Sequence, residues 1–290
     1  MYPRQFEYFA PASLAEAIGL MKKHGEEAKV LSGGHSLVPM MKLRFATPGC
    51  IVDINNIPGL NKIEEKGGFL HIGALVREAE LEESPIIAKY PLLMDTARVI
   101  ADPQVRNRAT VCGNLAHGDP ANDHPATMLA LDALVVAEGP KGERVIPIKD
   151  FFVDTLTTAL KPDEILKEVR VPTPPAKSGG AYVKIERKVG DFAIAAVAVQ
   201  ITLDAKGNCA KAGIGLTNVG PKPIKASAAE AALVGKPLTD ATIADAARLA
   251  AQACDPVTDV RAPADYKRSM VRELTQRALK RAQARAEGGK

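Results

Sequence analysis

The spacing of apolar positions changes along the chain from helical to strand-like and back, and the changes mark the elements. Leu14, Ala17, Ile18 and Met21 recur at three- and four-residue intervals, which puts them on one face of a helix. Ser13 and Glu16 stand where a capping box opens such a helix, and Gly25 stands where one ends. Short apolar runs over 29–31, 51–54, 69–72 and 134–136 predict strands, whereas 77–98 and 121–131 predict helices. Between 139 and 142, Gly-Pro-Lys-Gly predicts a hairpin turn leading into a strand over 144–148.

Thr173-Pro174-Pro175-Ala176-Lys177-Ser178-Gly179-Gly180 is the clearest break, because proline blocks helix continuation and glycine favours an open connection. Beyond it, strand-like runs over 181–187, 193–203 and 210–217 precede alanine-rich helices over 226–234, 241–253 and 263–286. The expected fold class is α+β, with a second α+β unit after the break. In the last helix Lys267, Arg268, Arg272, Arg277, Lys280, Arg281 and Arg285 alternate with apolar residues. That pattern reads as a solvated face, with a subunit contact as the alternative.

Composition narrows the function classes. A chain of 290 residues has room for two domains, and 46% apolar with 25% charged residues predicts folding throughout. The net charge of +4 comes without a clustered basic stripe, so nucleic acid is not an expected partner. The apolar stretch 192–199 is too short to span a bilayer and the start lacks a signal-peptide core, so the cytoplasm is the expected compartment. Cys50, Cys112, Cys209 and Cys254 form no C-x-x-C pair, so a zinc site or a four-thiolate iron–sulfur cluster is not expected here.

Two glycine-containing loops carry the candidate chemistry. Leu31-Ser32-Gly33-Gly34-His35-Ser36-Leu37 follows a strand and offers successive amides that can cradle an anion such as diphosphate. It lacks the third spaced glycine of G-x-G-x-x-G, and no G-x-x-x-x-G-K-[ST] occurs, so neither the Rossmann nor the P-loop geometry applies. A plain turn accounts equally well for this loop alone. The second loop runs from Thr110 to Asp123 and combines small, hydrogen-bonding residues ahead of a helix. Asn122 or Asp123 is placed to cap that helix. A metal site built from His117, Asp119, Asp123 and His124 is disfavoured, because one Pro- and Gly-rich loop does not preorganise ligands.

Three motifs in order, Ser32 to Leu37, Ile100-Ala101-Asp102-Pro103-Gln104-Val105-Arg106, and Thr110 to Asp123, resemble the medium, FAD-binding subunits of the aerobic carbon monoxide dehydrogenase family. The resemblance continues through Tyr182 to Ala193 and Ile214 to Val219, and extends more loosely to the flavin domain of xanthine dehydrogenases. It implies an N-terminal FAD-binding domain of the vanillyl-alcohol-oxidase-like (PCMH) type over 1–175, in subdomains of about 1–57 and 58–175, and a C-terminal α+β domain over 178–286. It also implies an electron-transfer role in a molybdenum hydroxylase. A small iron–sulfur subunit with two-iron two-sulfur clusters and a large molybdopterin subunit would be the partners, as a dimer of heterotrimers. The chain would not oxidise substrate by itself.

The cofactor-binding residues implied by the resemblance are Leu31, Ser32, Gly33, Gly34, His35, Ser36, Leu37, Ile100, Ala101, Thr110, Val111, Cys112, Gly113, Asn114, Ala116, Asp123, Leu166, Lys184 and Phe192, with no catalytic and no metal-ligating residue. Ser32 to Ser36 and Thr110 to Asn114 would hold the diphosphate, Asp123 a ribose, Ile100 and Leu166 the adenine region, and Lys184 and Phe192 the isoalloxazine. Cys112 stands where the family usually has a glycine, and Phe192 where tyrosine is frequent. A Cβ at 112 is expected to restrict φ there, and its thiol to be either inert packing or open to oxidation. Two rival readings remain at this point: a stand-alone flavin oxidase or reductase, for which no acid–base constellation is visible, and a flavin-free scaffold, for which Cys112 is the one hint.

Overall fold

Apolar residues at Val30 and over 50–54 build a small parallel sheet at the start of the chain. In the computed structural model, which describes residues 2–289, strands β1 (Glu7–Phe9), β2 (Ala28–Leu31) and β3 (Cys50–Asp53) pair in the order β1-β3-β2. Helices α1 (Leu14–His24) and α2 (Leu37–Lys42) connect them. Ser13 caps α1 by accepting from the Glu16 amide at 3.2 Å, while the Glu16 carboxylate reaches the Ala12 amide, one residue earlier than a capping box requires. Gly25 closes the helix at φ +55°, donating to the Met21 carbonyl.

The next sheet is antiparallel, in the order β4-β5-β10-β6-β7. Its elements are β4 (Ile63–Lys66), β5 (Phe69–Gly73), α3 (Glu78–Glu83), α4 (Pro91–Val99), α5 (Pro103–Arg106), α6 (Val111–His117), α7 (Asp123–Ala130), β6 (Leu134–Gly139), β7 (Gly142–Pro147), the short pair β8 (Phe152–Asp154) and β9 (Thr157–Thr158), and β10 (Ile165–Pro172). The helix expected over 77–98 is broken, because Pro85 and Pro91 lack the amide hydrogen an unbroken helix needs; α3, a 3₁₀ turn and α4 take its place. The hairpin expected at 139–142 is present, with Gly139 opposite Gly142 and Gly142 at φ +94°. Strand β10, central in this sheet, has no counterpart among the expected strands.

After an open stretch over 173–177, strands β11 (Ser178–Ile185), β12 (Ala195–Leu203), β13 (Cys209–Thr217) and β14 (Ile224–Lys225) form a second antiparallel sheet. Helices α8 (Ser227–Leu233), α9 (Asp240–Gln252) and α10 (Ala264–Ala286) follow, close to the expected spans. Ser178, Gly179 and Gly180 therefore belong to a strand and not to the linker. The glycines are there because a Cβ at 179 would strike the Ala282 carbonyl on α10 and one at 180 would fall 2.7 Å from Leu92 Cβ on α4.

Helix α10 packs on β11 and β12, and α7 packs on β13 and β12. The alternation along β12 is strict: Ala195, Val197, Val199, Ile201 and Leu203 join the core with the C-terminal helices, while Ala196 and Ala198 join Tyr182 in the core of the N-terminal half. The basic residues of α10 are not all solvated. Lys267 is 1% exposed and pairs with Asp259 at 2.7 Å, and Arg281 and Arg285 both reach buried Asp95 on α4, at 3.2 and 2.7 Å. Among the described residues no helix is long and apolar enough to cross a membrane.

Strand β13 approaches α7 so closely that a Cβ on Gly215 would collide with the Ala126 carbonyl. Replacing Gly215 by alanine is expected to destabilise the chain by about 1–3 kcal/mol, read from the midpoint of urea unfolding. An unchanged midpoint would show that α7 and the sheet separate freely.

Candidate functional site

The chain leaves β2 at Leu31 and turns through Ser32, Gly33, Gly34, His35 and Ser36 into α2. Of the two glycines only Gly34 has positive φ, at +76°. Gly33 is needed for a different reason: a Cβ there would lie 2.5 Å from the Arg108 carbonyl oxygen and 2.8 Å from Ala109 Cα. Among the described residues no protein acceptor takes the amide hydrogens of Gly33, Gly34, His35 and Ser36. Four neighbouring donors left open to one groove are what an anionic ligand requires.

Residues 111–117, expected to be loop, wind into α6. Thr110 caps it, its Oγ1 accepting from the Gly113 amide at 3.1 Å, and Val111, Cys112 and Leu115 are buried at helical spacing. Gly113 faces the other way, where a Cβ would lie 2.5 Å from Thr110 Oγ1 and 3.1 Å from Ser32 Oγ. The Ser32 and Thr110 hydroxyls are themselves 3.0 Å apart, so the two expected loops meet. Asn122 does not cap α7 with its side chain; its amide donates to the Asn114 carbonyl at 2.9 Å.

Between the two segments lies a cleft of about 710 Å³. Of the expected residues it brings together Leu31 to Leu37, Thr110, Cys112, Gly113, Asn114, Ala116 and Leu166. Asn114 Oδ1 is buried and has no protein partner, which leaves an acceptor for a ligand hydroxyl or N–H. Cys112 is among the lining residues, but its thiol turns toward the interior. It is 2% exposed, its Sγ points at the Ile72 carbonyl at 3.5 Å, and burial pushes its thiol far above the ordinary range. Because residue 112 is helical, its Cβ imposes no restriction that glycine would relieve.

The groove has further walls that the expected residue set did not include: Thr157 and Thr158 of β9, Lys161 and Glu164 ahead of β10, Ile165 at its start, and His117 at the end of α6. Burial lowers the His117 pKa, with Asp119 opposing. The signal for His117 lay in the sequence once 111–117 is taken as a helix, since Gly113, Ala116 and His117 then share a face at i, i+3 and i+4.

Ile100, Ala101, Val111, Asp123, Lys184 and Phe192 do not line this cleft. Val111 is core, its amide bonded to the Val76 carbonyl at 3.2 Å. Lys184 and Asp123 have partners other than those expected. The Lys184 ammonium, on a side chain only 3% exposed, donates to the Val99 carbonyl and Asp123 Oδ2, each at 3.1 Å, and forms an ion pair with Glu186 Oε2 at 3.1 Å. The other Asp123 oxygen accepts from the Tyr182 hydroxyl at 2.6 Å, so each oxygen already holds a protein partner. Burial pushes the Asp123 carboxyl up, and Lys184 pulls it partly back. By holding the Val99 carbonyl, Lys184 also fixes the entry to Ile100 and Ala101. Ala101 sits at φ +46° against Gly190, where a Cβ would fall 2.6 Å from the Ala101 oxygen. Phe192, two residues beyond Gly190, is 46% exposed and carries the Arg261 guanidinium 5.4 Å from its ring centroid. Arg261 also holds the Asp191 carboxylate, which lies at about 2.

Two outcomes are expected. Lys184→Met strands Asp123 in the interior and should lower unfolding free energy by about 3–5 kcal/mol, measured by chemical denaturation; a loss below the scatter of the method would mean that Asp123 finds water. All four thiols are buried, with Cys209 pushed up to about 11 and Cys254 to about 12. The native chain at pH 8 should therefore resist Ellman's reagent, titrating fully only after unfolding.

Known proteins share this architecture across its whole length. Residues 4–174 match the family model described as the FAD binding domain in molybdopterin dehydrogenase, and residues 180–282 match the CO dehydrogenase flavoprotein C-terminal domain. The carbon monoxide dehydrogenase medium chain of Hydrogenophaga pseudoflava is 46% identical over 287 residues, which is 98% of this chain and 99% of that one. The 6-hydroxypseudooxynicotine dehydrogenase complex subunit alpha of Paenarthrobacter nicotinovorans is 40% identical, over 99% of this chain and 97% of its own. A solved structure of the Hydrogenophaga pseudoflava carbon monoxide dehydrogenase, lacking the Mo-pyranopterin moiety of its molybdenum cofactor, superposes with a TM-score of 0.96 at 48% identity, over 98% of this chain and 99% of that chain. These two domain matches and the near-full-length relatives, with the groove of unclaimed amides lying in the first domain, place the chain in the family of FAD-binding medium subunits of the molybdopterin dehydrogenases, of the carbon monoxide dehydrogenase type.

Proposed function

We propose that this chain binds one FAD in the groove between residues 32–36 and α6, and works as the electron-transfer subunit of a molybdenum hydroxylase. The observation that carries the reading is the row of open amides at Gly33 to Ser36 facing Gly113, inside the matched FAD-binding domain. Those amides donate to a diphosphate, and the buried Asn114 Oδ1 accepts from a cofactor hydroxyl or N–H. FAD, when bound, supplies exchange of electrons one or two at a time, and the protein supplies its binding and orientation. The Lys184–Asp123–Tyr182 network holds the 99–101 turn, and exposed Phe192, two residues beyond the Gly190 that packs on Ala101, offers a ring face. We read the chain as two domains, 1–175 and 178–286.

The chain's own cysteines are buried and dispersed, and no three His, Cys, Asp or Glu residues gather at metal-binding distances among the described residues. By likeness to the matched family, iron–sulfur clusters and molybdopterin are assigned to a small and a large partner subunit, in a cytoplasmic dimer of heterotrimers. Relatives of nearly full length carry the names of a carbon monoxide dehydrogenase and a 6-hydroxypseudooxynicotine dehydrogenase. That range supports a substrate site on the molybdenum subunit and not on this chain.

The purified chain should take up one FAD, seen by absorbance after gel filtration. Gly33→Val and Gly113→Val should abolish retention, because each side chain would wedge the 32–36 segment away from Arg108–Thr110. Asn114→Asp, which changes little volume but adds negative charge beside the diphosphate, should weaken FAD at least about tenfold. Undiminished FAD in all three folded variants would overturn the site.

A further inference from the structure

The two halves of the anion cradle come from different parts of the fold. Ser32 and Gly33 leave the first parallel sheet, whereas Arg108 to Gly113 belong to the stretch before and within α6. Backbone pairing secures the second half: Arg77 bridges Thr110, the Glu78 amide donates to the Ala109 carbonyl, and Val111 donates to Val76. None of these bonds reaches residue 32. The connection across the gap is made by two side chains that do not line the groove, Asn55, just past the end of β3, and Arg77, just before α3.

The Arg77 guanidinium donates through Nη1 to the Arg108 carbonyl at 2.5 Å and through Nη2 to Asn55 Oδ1 at 2.6 Å. Asn55 Nδ2 donates to the Ser32 carbonyl at 2.9 Å and to Asp53 Oδ1 at 2.6 Å. With the contact between the Ser32 and Thr110 hydroxyls at 3.0 Å, the chain closes into a ring joining both halves. The Arg108 carbonyl is the same atom against which Gly33 is pressed. Arg77 is half-buried, and no carboxylate lies within 4.0 Å of its guanidinium among the described residues. Its charge is balanced only from a distance, by Glu80 and Asp53, with Arg108 repelling it.

From this ring we infer that Arg77 and Asn55 are positioning residues for the diphosphate of the cofactor, holding the 32–36 amides in register with Gly113 without touching the ligand. The inference rests on the groove being the FAD site. A guanidinium left without a carboxylate beside an anion cradle also adds a long-range attraction for diphosphate, and such an attraction weakens with salt. Arg77 thereby acts in two separable ways, through its fork of donors and through its charge, while Asn55 acts through geometry alone.

The test is the dissociation constant of FAD for the full chain, measured by flavin fluorescence at several salt concentrations. Arg77→Met should weaken FAD by about tenfold or more and flatten the salt dependence. Arg77→Lys should keep the salt dependence and recover only part of the affinity, since an ammonium does not reproduce the two-pronged geometry. Asn55→Ala should weaken FAD several-fold with the salt dependence of the unmodified chain. Should Arg77→Met fail to fold, Arg77→Lys and Asn55→Ser carry the decision. The inference is overturned if Arg77→Lys and the Asn55 variants hold FAD within twofold of the unmodified chain, or if a folded Arg77→Met keeps the unmodified affinity or salt dependence. Failure of the unmodified chain to bind FAD would instead overturn the groove assignment, and the inference with it.

Discussion

The packing of the 32–36 turn against the chain entering α6 is the constraint from which the candidate site follows. At that contact a single methyl group is too much on either side: neither Gly33 nor Gly113 has room for a Cβ. Closeness of this kind takes the backbone of two sheets to within hydrogen-bonding reach of one ligand. Interiors packed to this density transmit displacement, so any shift in either sheet is felt at the cradle.

The buried charge network plays a different part. Lys184, Asp123, Tyr182 and Glu186 gather strand β11 and the start of α7 around three ionisable groups and one phenol. An ion pair taken out of water contributes little to stability on balance, because desolvation offsets attraction. What it does is set geometry: the ammonium donates to Asp123 and to the Val99 carbonyl that precedes the strained Ala101, with the Glu186 carboxylate beside it at 3.1 Å.

Much of this was legible in the sequence, and the gaps have physical causes. The helix from Leu14, the hairpin at 139–142, three of the four C-terminal strands and all three C-terminal helices follow from apolar spacing and turn chemistry, because those segments alternate without interruption. Strand β10 escaped because a register shift between Leu166 and Glu168 breaks its two-residue period just where its apolar residues begin. Helix α6 escaped because Gly113 and Asn114 read as loop, although Val111, Cys112 and Leu115 keep helical spacing. The groove residues near 32–36 and 110–116 were readable from local chemistry. The partners of Lys184 were not, since Asp123 lies 61 positions away and only the folded chain brings them together.

Strand β12 belongs to two interiors at once, sending odd-numbered residues toward the C-terminal helices and even-numbered ones toward the N-terminal half. A seam in the pattern of family matches, between residues 174 and 180, is thus not a seam in the folded protein. Modules joined by a flexible tether can be shuffled, because each keeps its apolar surface to itself. Here the second module would carry Tyr182, Ala196 and Ala198 into water if separated, and the first would lose the surface that covers α7. Cutting the chain at that junction would therefore yield two fragments that each expose apolar surface, not two free-standing modules.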